Sequence, residues 1–323
     1  MIRRSAIVAL AALCAAAALP VSAQDRFDRP VRILVGFAAG GTADLMARLV
    51  ADKMKDTIGQ TVVVENRPGA AGRVAADAVK AAPADGSTIM VMPIGPMAVV
   101  PHTTKSLSFD PLKDFTAIGL GSTFDFAIAV GPQSGAKTWS DYVAWLKANP
   151  GKSSYATSGA GSLPHFFGVQ LGQAIGVDMV HVAYKGSAAY ANDLIGGQIP
   201  AAIDMVADLS ELHKAGRVRI LATSGAQRSP VVPEVPTLTE LGFRNLETGG
   251  WFGFFAHVNT PPAIVQTLNR HLNQALRHPD VVAKLKSVGM DPATSTPDEL
   301  QKRLVADHAR WGAVVKATGF TSD

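Results

Sequence analysis

From residue 31 onward, short β-branched runs alternate with amphipathic helical patterns, and that alternation leaves few architectures open. Val31-Arg32-Ile33-Leu34-Val35 reads as a strand, 43–57 as a helix, Thr61-Val62-Val63-Val64-Glu65 as a strand, 72–81 as a short helix and 87–92 as a third strand. A β-α-β-α-β order implies a mainly parallel sheet with helices on both faces, because parallel neighbours are reached only by a crossover. A second series begins near Asp125. Strands at 126–130, 153–157, 179–183, 201–205 and 219–223 are interleaved with helices at 139–148, 164–175 and 188–195. A Pro-rich passage at 229–237, an aromatic strand at 251–256 and helices at 261–277, 279–288 and 297–317 follow. The last helices need a sheet face to cover, and the first sheet supplies one. The expected fold is therefore α/β with two lobes, 24–124 plus 229–323 and 125–228, joined by a hinge of two chain crossings. Ligands of such sheets bind in the cleft beyond the carboxyl ends of the strands.

The first 23 residues have a different character. Arg3 and Arg4 precede an apolar run at 6–19, Pro20 breaks it, and Val21-Ser22-Ala23 offers small residues before Gln24. This is the order of a secretory signal peptide, 1–23, and it predicts a periplasmic mature chain. The single cysteine, Cys14, lies in that run behind Leu13, which is not the small residue a lipoprotein signal requires. The mature chain then has no thiol for a disulfide, a thiolate metal site or a cysteine nucleophile. The net charge of +4 comes from dispersed Lys and Arg with no basic run, which speaks against nucleic acid as a partner.

Two loops repeat one device. Phe37-Ala38-Ala39-Gly40-Gly41-Thr42-Ala43-Asp44 and Ser158-Gly159-Ala160-Gly161-Ser162-Leu163-Pro164-His165 each join a strand to a helix start. Glycines let the main chain approach a ligand closely, and a helix N-terminus adds unpaired N–H donors and partial positive charge. Such a pair makes an anion seat without Lys or Arg. Tight β-α turns alone account equally well for either loop taken singly. Phe37 reads as a flank of the ligand or as core, Asp44 as a helix cap or a ligand acceptor, and His165 as a ligand contact or a structural histidine. Pro164 stands where a dinucleotide fingerprint needs its third glycine, and no Gly-x-Ser-x-Gly or His-Glu-x-x-His spacing occurs. No catalytic residue, cofactor or metal is implied. The apolar run Pro93-Ile94-Gly95-Pro96-Met97-Ala98-Val99-Val100 follows a strand end, and if it reaches the cleft it favours a ligand with an apolar body.

Beyond these readings, Phe37-Ala38-Ala39-Gly40-Gly41-x-x-Asp44, Val62-Val63-Val64-Glu65-Asn66-Arg67-Pro68-Gly69-Ala70, Pro83-Ala84-Asp85-Gly86, Ser158-Gly159-Ala160-Gly161-Ser162-x-x-His165 and His181-Val182-Ala183-Tyr184-Lys185-Gly186 stand in one order along the chain. Together they resemble the Bug family, the extracytoplasmic solute receptors of tripartite tricarboxylate transporters. The resemblance implies a two-lobed periplasmic-binding-protein fold of type II that closes on a small organic carboxylate. It also implies permease subunits of a tripartite transporter as partners and a monomeric receptor that is not an enzyme. The ligand positions it implies are Phe37, Ala38, Gly41 and Asp44 in one lobe and Ser158, Gly161, Ser162 and His165 in the other, with Tyr184 and Asp204 as weaker candidates. Ala183 stands where the family commonly has proline, and Ala201-Ala202-Ile203 precedes Asp204; these departures fall on the ligand-specific wall. The alternatives are a carboxylate sensor docking on a signalling protein and an α/β enzyme acting on a carboxylate.

Overall fold

The computed structural model describes residues 27–69, 72–184 and 186–321; the expected signal peptide lies outside them. The first elements are β1 (Val31–Val35), α1 (Thr42–Ile58), β2 (Val62–Asn66), α2 (Arg73–Lys80), β3 (Thr88–Pro93), a one-turn α3 (Val100–Thr103) and β4 (Phe115–Val130). Next come α4 (Trp139–Ala148), β5 (Ser154–Thr157), α5 (Leu163–Ile175), β6 (Val180–Ala183), α6 (Ser187–Ile195), β7 (Ala201–Met205), α7 (Val206–Lys214) and β8 (Arg219–Thr223). The remainder is β9 (Gly249–His257), α8 (Pro262–Leu276), α9 (Pro279–Ser287), β10 (Met290–Pro292) and α10 (Pro297–Thr318).

The helix boundaries follow local chemistry. Thr138 with Asp141, and Thr296 with Glu299, form capping boxes that start α4 and α10. Ser162 caps α5, which has Pro164 in its first turn and stops at Gly176 with φ +70°.

The strands form two ladders that share β4. In the first, β1 runs parallel to β2 and β3, and β9 lies antiparallel between β3 and β4, with β10 added on β4. In the second, β5 is parallel to β6 and β7, while β7 and β8 pair antiparallel with the far half of β4. The sheets are thus mixed: the expected parallel ladders are present, and every ladder through β4 is antiparallel. In the first sheet β9 returns from the second lobe and enters from the opposite end, antiparallel to both β3 and β4.

β4 is itself the first chain crossing. Phe115 to Asp125 pairs with β9, and Phe126 to Val130 pairs with β7 and β8. Its register shifts near Gly119 and Gly121, where a Cβ on Gly121 would lie 2.8 Å from Met46 Sδ and from Phe254. The glycines let this strand curl between packed side chains. The second crossing is clasped to it by Ser224, which is fully buried. The Ser224 hydroxyl donates to Thr248 O (2.5 Å) and accepts from the Phe126 N–H (2.9 Å), and Thr248 N–H donates to Ser224 O (3.0 Å). Phe252, Phe124, Phe126 and Phe167 continue the apolar core through this hinge, with successive ring centroids 5.3, 5.9 and 5.6 Å apart. The Pro-rich passage, which the sequence placed with the first lobe, packs Val232 and Val235 against Val206, Leu209 and Ile220 of the second. Prolines with few apolar neighbours give no pattern that marks the sheet they cover.

Candidate functional site

The loop after β1 leaves its main chain open to solvent: Ala38, Ala39, Gly40 and Gly41 are all exposed. Its path is fixed from beneath. A Cβ on Gly36 would lie 2.6 Å from the Gly72 Cα, so two turns cross backbone to backbone, and Gly72 takes φ +92° to do so. The Asp44 carboxylate is buried; Oδ2 accepts from the Gly40 N–H (2.9 Å) and Arg48 Nε (3.0 Å), and Oδ1 accepts from Asn66 Nδ2 (2.9 Å). Asn66 Nδ2 also donates to Phe37 O (3.2 Å). Burial alone would raise the Asp44 pKa, but the bonds from Arg48, Gly40 and Asn66 outweigh it and hold the carboxyl below its usual range. Gly41 starts α1 with no side-chain cap. The first-turn N–H groups of Thr42, Ala43 and Asp44 therefore have no helical acceptor.

The loop after β5 is built from small hydroxyls and a histidine. Ser162 Oγ donates to Gly159 O (2.7 Å) and accepts from the His165 N–H (3.4 Å). Thr157 Oγ1 donates to Gly159 O (3.0 Å). Gly161, at φ +68°, donates its N–H to His165 Nδ1 (3.2 Å), which puts the imidazole proton on Nε2. The ring of His165 stacks on His181 with centroids 3.8 Å apart and planes 17° apart. Burial lowers both pKa values, that of His181 to about 4 with His165 adding to it, so the stack is neutral at physiological pH. Pro164 follows without a donor, and the amides of Ser162 and Leu163 have no acceptor among the described residues.

Behind this loop lies an acidic wall. Asp204 is buried; its Oδ2 accepts from the Ser158 N–H (3.1 Å) and the Tyr190 hydroxyl (3.2 Å), and Oδ1 accepts from the Met205 N–H (3.0 Å). Asp208, one turn on, accepts from the Ser187 hydroxyl (3.2 Å). Burial raises both carboxyls, and for Asp204 the neighbouring Asp208 raises it further, so the pair resists carrying two charges. Tyr184 turns its hydroxyl to Asp193 Oδ2 (2.7 Å).

The structure thus sorts the ten sequence candidates. Asp44, Tyr184 and Asp204 turn their side-chain oxygens to partners inside the chain, and His165 uses Nδ1 to hold the Gly161 N–H; these contacts shape the loops. Phe37, Ala38, Gly41, Ser158 and Ser162 lie on the loops themselves, partly or fully exposed. Asn66, Tyr190, His181 and Asp208 were not singled out by the sequence, although Asn66 and His181 stand inside quoted motifs. The run at 93–100 is mainly core: Pro96, Met97, Ala98 and Val99 are buried in a wide helical turn leading into α3. It therefore gives no reason to expect an apolar ligand body. Gly95 lies against the other lobe, with Leu163 Cδ1 3.4 Å from where its Cβ would be. Among the described residues no group of three or more His, Cys, Asp or Glu could hold a metal ion.

Two lobes on a clasped hinge, with an open main-chain loop at the carboxyl end of a parallel strand in each, are the architecture of a solute-binding receptor. Residues 46–320 match the family model described as Tripartite tricarboxylate transporter family receptor, and the chain belongs to that family. It is similar to the periplasmic binding protein BugD, with 31% identity and a TM-score of 0.78 over 91% of this chain and 99% of that one. It is also similar to Rpa4515 of R. palustris, solved with adipate, at 32% identity and a TM-score of 0.81 over 91% of this chain and 98% of that one. MatC (Rpa3494) from Rhodopseudomonas palustris, solved with bound malate, matches at 30% identity and a TM-score of 0.76 over 92% of this chain and all of that one.

Proposed function

We propose that the mature protein is a monomeric periplasmic receptor. It captures a small organic carboxylate between the lobes and delivers it to the membrane permease of a tripartite transporter, without chemical turnover. We place the lobe boundaries at the two crossings, between residues 124 and 125 and between 248 and 249. The observation that carries the reading is the uncapped start of α1 beneath four exposed loop residues, matched across the hinge by the loop that starts α5. Both present main-chain donors at a positive helix end, which suits a carboxylate and needs no cationic side chain. The structures solved with adipate and with malate support a carboxylate as the ligand class. The likeness to the periplasmic binding protein BugD supports the periplasm.

Isothermal titration of the purified mature chain with mono-, di- and hydroxycarboxylates tests this reading. Saturable binding of at least one acid, returned chemically unchanged, is expected. Failure of the whole panel to bind, or steady conversion of any member, would overturn it.

A further inference from the structure

We infer that Phe320 is a positioning residue for the serine-glycine loop, through which the first lobe sets the shape of the second lobe's ligand seat. α10 is a first-lobe helix, anchored by buried Trp311 and Val315 and tied to β9 by the Trp251 Nε1 bond to Asp307 (2.7 Å). Gly319 ends it in the left-handed region, at φ +64°, and the Phe320 N–H donates to Thr318 Oγ1 (3.3 Å). This turn carries the Phe320 ring onto the other lobe. There it stands edge-on to His165 and Phe166, with centroids 5.1 and 5.7 Å away and planes close to 80°. A Cβ on Gly161 would lie 3.0 Å from Phe320 Cε1, so the ring occupies the space that the missing side chain leaves.

The contact has a direct route to the loop. His165 Nδ1 holds the Gly161 N–H, and His165 is fixed on one side by the His181 stack. Phe320 closes a further side and covers Gly161 itself. Edge-to-face aromatic pairs add stabilisation beyond the area they bury, so removing the ring weakens two pairs together. The contact near Gly95 and Leu163 brings the same two lobes together, so the lobes meet here as well as at the two chain crossings. Any hinge motion must therefore carry Phe320 along with the second lobe or detach it.

The dependence of affinity on Phe320 rests on the proposed carboxylate seat; the dependence of loop order does not. Amide hydrogen exchange over residues 157–165 in the full mature chain separates them, using Phe320→Ala and Phe320→Leu. Phe320→Ala is expected to speed exchange in this segment roughly tenfold, while the strands of the first lobe stay as in wild type. Phe320→Leu should restore part of the protection. Unchanged exchange in Phe320→Ala would overturn the inference, as would equal acceleration throughout the protein. Titration with adipate and with malate is the second arm. Faster loop exchange with weaker binding of whichever acid wild type binds supports both the inference and the seat. Faster exchange with wild-type affinity keeps Phe320 as the positioning residue and overturns the seat at this loop.

Discussion

Asp44 and Asp125 show how opposite surroundings turn the same side chain to opposite purposes. Asp44 gathers the Gly40 N–H, Arg48 and Asn66 around one carboxylate, which its bonds keep charged. With its folded pKa below the unfolded value, its contribution is present at neutral pH and disappears as pH falls through the folded pKa. Asp44→Ala leaves those donors unsatisfied and should cost about 2 kcal/mol, read by urea unfolding at pH 7. Asp125, where β4 passes between lobes, has its pKa raised from 3.8 to about 6 by burial first and then by Asp291 and Glu247. Its sign is reversed: stability is greatest with the carboxyl protonated and declines as pH rises from about 4 to about 6. Asp125→Asn should therefore stabilise the protein at pH 7 by up to about 3 kcal/mol, an upper bound because the group is partly exposed. The gain should vanish near pH 4 in thermal unfolding. The sequence made Asp44 visible because the residue opens a helix after a glycine loop. It could not show that Asn66, 22 positions on, completes the arrangement. Asp208 was equally hidden, since a carboxylate in the first turn of a helix is ordinary and only the fold reveals Asp204 beside it.

The elements follow from pattern wherever their residues face one core. β7 and β8 stand at the positions expected from pattern, and α4, α5 and α6 begin within one residue of theirs. The exceptions have physical causes. β4 begins eleven residues before Phe126, a stretch the pattern did not mark as strand, and Gly119 and Gly121 within it are sites of close approach in a curled strand. α7 was missed because it follows β7 with no turn between them. Gly168 shows the same ambiguity inside α5. A Cβ there would lie 2.2 Å from Cε2 of buried Tyr155, whose hydroxyl donates to His165 O (2.8 Å). Helix and strand thus pack at a distance that only glycine permits. Gly168→Ala, which would normally favour a helix, should instead destabilise by about 1–3 kcal/mol through overpacking. Chemical denaturation measures that cost, and an unchanged midpoint would contradict the close packing of α5 on β5.

At the scale of the molecule, two sheets share a strand, a buried serine clasps the crossings and an aromatic row runs through the hinge. The core is continuous, so closure should be a small rotation about the Ser224 clasp. Small-angle scattering should show a modest fall in the radius of gyration on saturation with the acid that titrates most tightly. The position of that acid tests the account most directly. A crystal structure of the mature protein with it bound should place carboxylate oxygens within about 3 Å of main-chain N–H groups, directly or through one bridging water. Those groups should belong to the first turn of α1 and to the start of α5. A ligand held by Lys or Arg side chains, or seated outside the space between the lobes, would contradict it.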